Sequence, residues 1–223
     1  MPPKDAVIPR TARKTPLNRA RIVNAAIAFA DEHGLQALSM RSLARNLGFG
    51  VMSLYNHVAD KDDLIDAMVD AATGEIDIDT TCESWRETLR TCLISAYKVM
   101  LRHRWLPKEW SRFPGPAKNH YHEAILRTMR QADFPEPLAC QGFHALTMHV
   151  VGFALQVLEM PFSNQEELAA LGRQALDDLD EQAYPYLREH VHFHLAGQDE
   201  RNDFKYMLDL ILDGLERELT ELT

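Results

Sequence analysis

An all-α fold is predicted by two features of the sequence. Apolar residues recur at intervals of three and four along nearly the whole chain, and alternating β-branched runs and Asn-Gly hairpin signals are almost absent. A third feature divides the chain: four short helices fit before residue 74, and longer helical runs follow a polar, acidic joint from Gly74 to Thr81. The expected architecture is an N-terminal three-helix helix-turn-helix domain, with a fourth connecting helix, over residues 15–75. A basic arm over residues 1–14 precedes it, and a larger helical bundle over residues 76–223 follows.

Composition bounds what such a chain can be. With 46% hydrophobic and 26% charged residues among 223, it has the balance of a folded soluble protein and can bury a core. The net charge of −9 argues at first against a polyanionic partner, but it is unevenly spread. Residues 1–60 carry eight Lys or Arg against four acids, a local charge of +4, which leaves −13 on the remainder. A basic head on an acidic body suits a molecule with one end facing phosphates, although acidic bodies also occur on many enzymes. Cys82, Cys92 and Cys140 are odd in number and lack metal-type spacing, which favours reduced thiols in a cytoplasmic protein over a disulfide framework or zinc site. The opening MPPKDAVIPRTARK has basic residues with no apolar stretch behind them, so it does not read as a secretory signal.

The first helix is expected to start with Thr15 as cap and Pro16 in the first turn, to carry Ile22, Ala25, Ala26, Phe29 and Ala30 as its apolar stripe, and to stop at Gly34. Ser39 caps a short second helix with Leu43, Ala44 and Leu47. After Gly48 comes a short third helix with Val51, Leu54, Tyr55 and Val58. Asp60 caps a fourth, whose apolar face is Leu64, Ile65, Met68 and Ala72.

Within this unit, the segment SMRSLARNLGFGVMSLYNHV (39–58) brings two short helices together at Gly48-Phe49-Gly50, where glycine permits a sharp turn. Once Leu43, Ala44, Leu47, Val51, Leu54 and Tyr55 turn inwards, Met52, Ser53, Asn56 and His57 are left outside. These groups can approach base edges without negative charge, while Arg41, Arg45 and Lys61 flank them as phosphate partners. No acid lies between Glu32 and Asp60. Periodicity alone also fits a helical hairpin whose polar face is merely solvated.

The run LARNLGFGVMSLYNHVADKDDL (43–64) resembles the tetracycline-repressor (TetR) family: a Leu-Ala pair, a Leu-Gly turn, a Leu-Tyr-x-His helix, then Lys and Leu on the next helix. The resemblance covers about residues 16–75. It implies a DNA-binding transcriptional regulator, with Val51, Met52 and Ser53 as base contacts and Tyr55, His57 and Lys61 as phosphate contacts. Arg41 becomes a base or phosphate contact, and Asn56 lies on the same face. Gly50 replaces the larger polar residues common at its position and has no side chain to offer a base.

Downstream, helices are expected near 83–103, 105–112, 116–131, 136–160, 164–180, 184–195 and 202–221, with turns at 114–116, 135–137 and Gly197. Leu138 to Leu158 has no charged residue and is about long enough to span a bilayer. Its Gln141, His144, Thr147, His149 and Gln156 each need a partner, which favours a helix buried on all sides in a soluble bundle over a membrane span. In the tetracycline-repressor type of regulatory domain, this helix and the last one form a four-helix bundle with their copies across a two-fold axis. The sequence around Glu83-Ser84-Trp85, Leu158-Glu159 and Phe204 to Glu216 resembles that type. Phe204, Leu208, Ile211 and Leu215 are the expected dimer contacts; packing within one chain is the alternative.

A pocket for a small hydrophobic effector is expected among Cys92, Ala96, Met100, Trp110, His122, Ile125, Leu146, Met148 and Val150, each of which also suits a plain core. The magnesium-binding histidine of metal-tetracycline binders aligns with Trp110, so a metal-tetracycline effector is not expected, although Glu159 falls where that subfamily has an acid. His190 and His194 share a helical face but lack further ligands nearby, which favours solvated histidines over a metal site. No phosphate loop, nucleophile elbow or Cys-His arrangement is evident, so neither enzyme activity nor a cofactor is expected. The reading is a homodimeric repressor that binds a palindromic double-stranded operator and is released by an effector, with no membrane role. A ligand-binding helical bundle, or a protein-interaction adaptor without DNA binding, remains the alternative.

Overall fold

A computed structural model describes residues 16–78, 82, 84–112, 115–161, 164–196 and 204–222; the basic arm and Thr15 lie outside the described residues. All regular structure among them is helical. The chain divides into two compact units, one ending at Ile65 and one beginning at Asp66.

In the first unit, α1 (Arg19–His33) starts later than expected. Asn18, in an extended conformation, accepts the Arg21 N–H at 2.8 Å and so caps the helix. Ile22, Val23, Ala26, Ile27 and Ala30 form its buried stripe. A short 3₁₀ turn (Leu35–Ala37) leads to α2 (Met40–Leu47), which opens with a reciprocal cap: Ser39 Oγ accepts the Ser42 N–H, and Ser42 Oγ accepts the Ser39 N–H. Gly48 ends α2 with φ 72°, a left-handed conformation that a side chain would strain. The chain then turns into α3 (Val51–Tyr55) and α4 (Lys61–Thr73), the latter capped by Asp60, which accepts the Asp63 N–H at 2.8 Å. Leu38, Leu43, Leu54, Val58 and Leu64 close the core against α1.

The second unit contains the rest of α4 and seven further helices: α5 (Trp85–Arg102), α6 (Leu106–Glu109), α7 (Pro116–Gln131), α8 (Glu136–Glu159), α9 (Gln165–Asp178), α10 (Pro185–Leu195) and α11 (Phe204–Leu222). Helix α5 packs on α7, α8 and α11, and α8 also meets α6, α7 and α11, while α9 and α10 pair with each other. Cys82 is described only outside helix; Ser84 caps α5 by accepting the Glu87 N–H at 3.2 Å. At Gly142 a Cβ would lie 2.5 Å from the Met129 methyl and 3.0 Å from Leu215, so absence of a side chain lets α7 and α11 approach α8 closely.

The long helices pack within the chain by one stripe each. Helix α8 is long and apolar enough to cross a membrane by length and composition, and within the single chain only one stripe of it is buried. Ala139, Gly142, Leu146, Val150 and Ala154 form one buried stripe, whereas Met148 is 73% exposed and Gly152 faces open space. On α11, Phe204, Leu208 and Leu215, expected to face a second copy, are buried in their own chain, and Ile211 is half-buried. The inward stripe is completed by Leu212, and Leu210 and Gly214 lie on the other side. An amphipathic helix with apolar residues around much of its girth places its best-packed stripe, not every apolar residue, against the nearest core.

Candidate nucleic-acid interface and effector cavity

Helix α3 is held by one anchor. Leu54 is fully buried, and burial of a leucine of this kind contributes about 1.5–3 kcal/mol. Around it Val51, Ser53 and His57 are half-buried, while Met52, Tyr55 and Asn56 are exposed, as are Arg41, Arg45 and Lys61 on the flanking helices. Tyr55, which could also have turned inwards, is 42% exposed, and Met52 is 74% exposed. A thioether, a phenol and an amide are thus exposed on and just after α3, and three cations are exposed on the neighbouring helices α2 and α4.

The turn that follows α3 is fastened by two residues that pattern reading did not single out. Arg19 grips Asp63 through Nη1–Oδ2 at 2.8 Å and Nη2–Oδ1 at 2.6 Å, and its Nη1 also donates to the His57 carbonyl at 3.0 Å. Asp63 in turn accepts the Ala59 N–H at 2.7 Å. The Arg19 hydrogen bonds, followed by that of Ala59, hold the Asp63 carboxyl down to about 2. No local signal could have found this pair, because its members lie far apart in sequence.

In the second unit, a half-enclosed cavity of about 770 Å³ lies between α5, α8, α9, α10 and α11. Its floor is an aromatic cluster. Phe204 stacks on Tyr97 (centroids 4.2 Å apart, 7° between planes) and on His149 (4.7 Å, 16°), and Phe153 stands edge-on to Phe204 at 5.6 Å. His149 Nε2 lies 3.1 Å from the Phe204 carbonyl oxygen, and burial lowers its pKa against the opposing effect of that hydrogen bond. Lys98 and Lys205 stand at the lining, together with Gln156, His190 and His194.

None of the nine residues expected at a pocket lines this cavity. Cys92, Ala96, Met100, Ile125, Leu146 and Val150 are buried in the packed centre, where burial pushes the Cys92 thiol up to about 12. Met148 points outwards. Trp110 and His122 belong to a separate cluster: Tyr121 and His122 stand edge-on to Trp110, and the Lys118 ammonium lies 4.7 Å from its ring centroid. Lys118 is 4% exposed and donates to the Trp110 and Arg112 carbonyls. Burial lowers the pKa of both Lys118 and His122, the latter with a further contribution from the Lys118 charge.

Three carboxylates on α4 have different partners. Asp63 is bound to Arg19 in the first unit. Asp66 accepts Arg112 Nε at 2.6 Å, and Asp70 accepts the N–H groups of Ala117 and Lys118 at 2.8 and 3.2 Å, all within the second. His190 and His194 bring their Nε2 atoms to 3.1 Å, and Glu159 pairs with Lys108 at 2.6 Å. Among the described residues no group of three or more His, Cys, Asp or Glu is placed to hold a metal ion.

Residues 22–68 match the family described as bacterial regulatory proteins, tetR family, and residues 79–219 match the tetracyclin repressor-like C-terminal domain. The HTH-type transcriptional repressor DrrR1 of Streptomyces coeruleorubidus is 33% identical over 150 residues, covering 66% of this chain and 56% of that protein, so the match spans little more than half of that relative's length. The class D tetracycline repressor protein of Escherichia coli is 29% identical over 211 residues and 92% of each chain. Among solved structures, ActR of Streptomyces coelicolor in complex with actinorhodin superposes with a TM-score of 0.78 at 29% identity, covering 92% of this chain and 99% of that one.

Proposed function

The chain belongs to the tetR family of bacterial regulatory proteins, and from that premise we propose that it is a dimeric transcriptional repressor that leaves its operator when a small, largely apolar effector binds. The observation that carries this reading is the exposed face of α3. An anchored helix offers Met52, Tyr55 and Asn56 to solvent, and Arg41, Arg45 and Lys61 are exposed on the helices before and after it. On this reading Val51, Met52 and Ser53 approach base edges. Tyr55, His57, Lys61 and Arg41 hold phosphates and set the register of the helix in the major groove. Arg19 and Asp63 act behind that face, by fixing where α3 ends.

Two copies of so short a helix reach useful affinity only together, on half-sites about one helical turn apart. The dimer contact that the structure favours is the outer face of α8 and α11, with Met148 and Leu210 exposed and Gly152 and Gly214 open to close approach. The effector is assigned to the cavity floored by Tyr97, Phe153 and Phe204. Its signal passes to α4, where Asp66 is tied to Arg112 after α6, Asp70 to the first turn of α7 and Asp63 to Arg19. Effector and operator then weaken each other's binding by the same factor. The protein performs no catalysis on this reading and works in the cytoplasm, where the DNA is.

Selection of bound sequences from a random duplex pool tests the proposal. A palindromic consensus, bound with an affinity that falls steeply as salt rises, is the expected result. A pool that stays unenriched overturns it.

A further inference from the structure

We propose that the cavity takes a flat aromatic acid, with fused rings lying against Tyr97 and Phe153 and an anionic group held by Lys98 and Lys205. The inference deepens the reading of this cavity as the effector site and rests on it.

Shape and charge argue for the same ligand. Both faces of the Phe204 ring are covered, by Tyr97 and by His149, so the aromatic surface left to the cavity is that of half-buried Tyr97 with Phe153 edge-on to it, on which a planar π-system gains more than a branched aliphatic one. About 770 Å³ accommodates three or four fused rings. Lys98 and Lys205 each directly follow a member of the stacked pair, one on α5 and one on α11, so the same packing that makes the floor brings two lysines to the lining of one cavity. Neither lysine is ion-paired with a described residue, and no Asp or Glu is among the lining residues described. In a chain with 33 acids against 24 Lys and Arg, two lysines without an acidic partner among the described residues are out of keeping with the overall charge. A carboxylate or phenolate completes them with charge-assisted hydrogen bonds, which are stronger beside an apolar wall than in open water. Gln156 and the His190–His194 pair supply further hydrogen-bonding groups for oxygen atoms of the ligand.

Titrating the full-length protein by calorimetry with anthracene-2-carboxylate and with its neutral carboxamide tests the inference. The carboxylate is expected to bind about tenfold more tightly, the size of one good charge-assisted hydrogen bond. In K98M/K205M the two affinities converge, and V157W, which fills the cavity, abolishes binding of both. Both lysines are exposed, so methionine keeps the fold, which thermal melting checks. Equal affinities in the unsubstituted protein, or a carboxylate preference that survives K98M/K205M, overturns the acid assignment while loss of both probes in V157W keeps the cavity reading. Failure of either probe to bind, or binding that V157W leaves intact, overturns the cavity reading and this inference with it.

Discussion

Arg19 and Asp63, 44 residues apart in sequence, meet in a two-pronged ion pair at 2.6 and 2.8 Å, and through it the start of α1 holds the turn between α3 and α4. Both side chains are partly exposed, so solvent screens the pair and its contribution to folding is about 1 kcal/mol or less. Its larger role is positional. Asp63→Asn is expected to lower operator affinity several-fold with a small fall in melting temperature, both read on the same sample. Because the Asp63 carboxyl is depressed from 3.8 to about 2, its contribution is fully present above the ordinary carboxylate range and is lost progressively as pH falls from there to about 2.

Contacts to phosphates and to bases separate by sequence dependence. Tyr55→Ala or Lys61→Ala is expected to weaken binding to all duplexes alike, and Lys61→Ala to reduce the salt slope by about 1. Met52→Ala or Ser53→Ala changes which duplex is preferred. Gel shifts on the selected operator and single-base variants distinguish the two behaviours; uniform, unchanged binding by all four variants refutes the assignment.

Acid sensitivity should come from the second unit. Burial lowers the pKa of His122 and His149 below the ordinary histidine value of 6.5, so the unfolded chain binds more protons than the folded one at mildly acid pH. Stability therefore holds above about 6.5 and declines as pH falls from there towards the folded values. Melting curves across this range should show the decline, and a double His122→Gln, His149→Gln variant should flatten it.

Phe204 is 3% exposed and stacked on both faces, by Tyr97 and by His149. Phe204→Ala is expected to destabilise the second unit by about 3–5 kcal/mol, the range for emptying a buried phenylalanine site. Denaturant unfolding measures this directly.

Exposed apolar groups on α8 and α11 should be what a second copy covers. Met148→Glu and Leu210→Glu are expected to yield monomers by sedimentation and to abolish cooperative operator binding, with helicity unchanged.

Much of the local structure was legible from neighbouring residues. Ser39 and Asp60 cap where a cap was readable, because a side-chain oxygen and the N–H three residues on are brought together by the chain itself. The outward set around Met52 followed from Leu43 and Leu54 taking the inside, since 3.6 residues per turn leaves little choice once the buried face is known.

The sequence by itself therefore determined the all-α class, the order of the helices and the polar face of α3, all of which rest on short-range periodicity. Only tertiary structure decided which apolar stripe of α11 turned inwards, that Met148 faced out, that Arg19 found Asp63, and that the cavity opened beside Phe204 instead of around Met100. Periodicity reports that a face must be covered, but what covers it depends on how closely distant helices can approach. That is settled by side-chain volumes meeting at places such as Gly142, Met129 and Leu215.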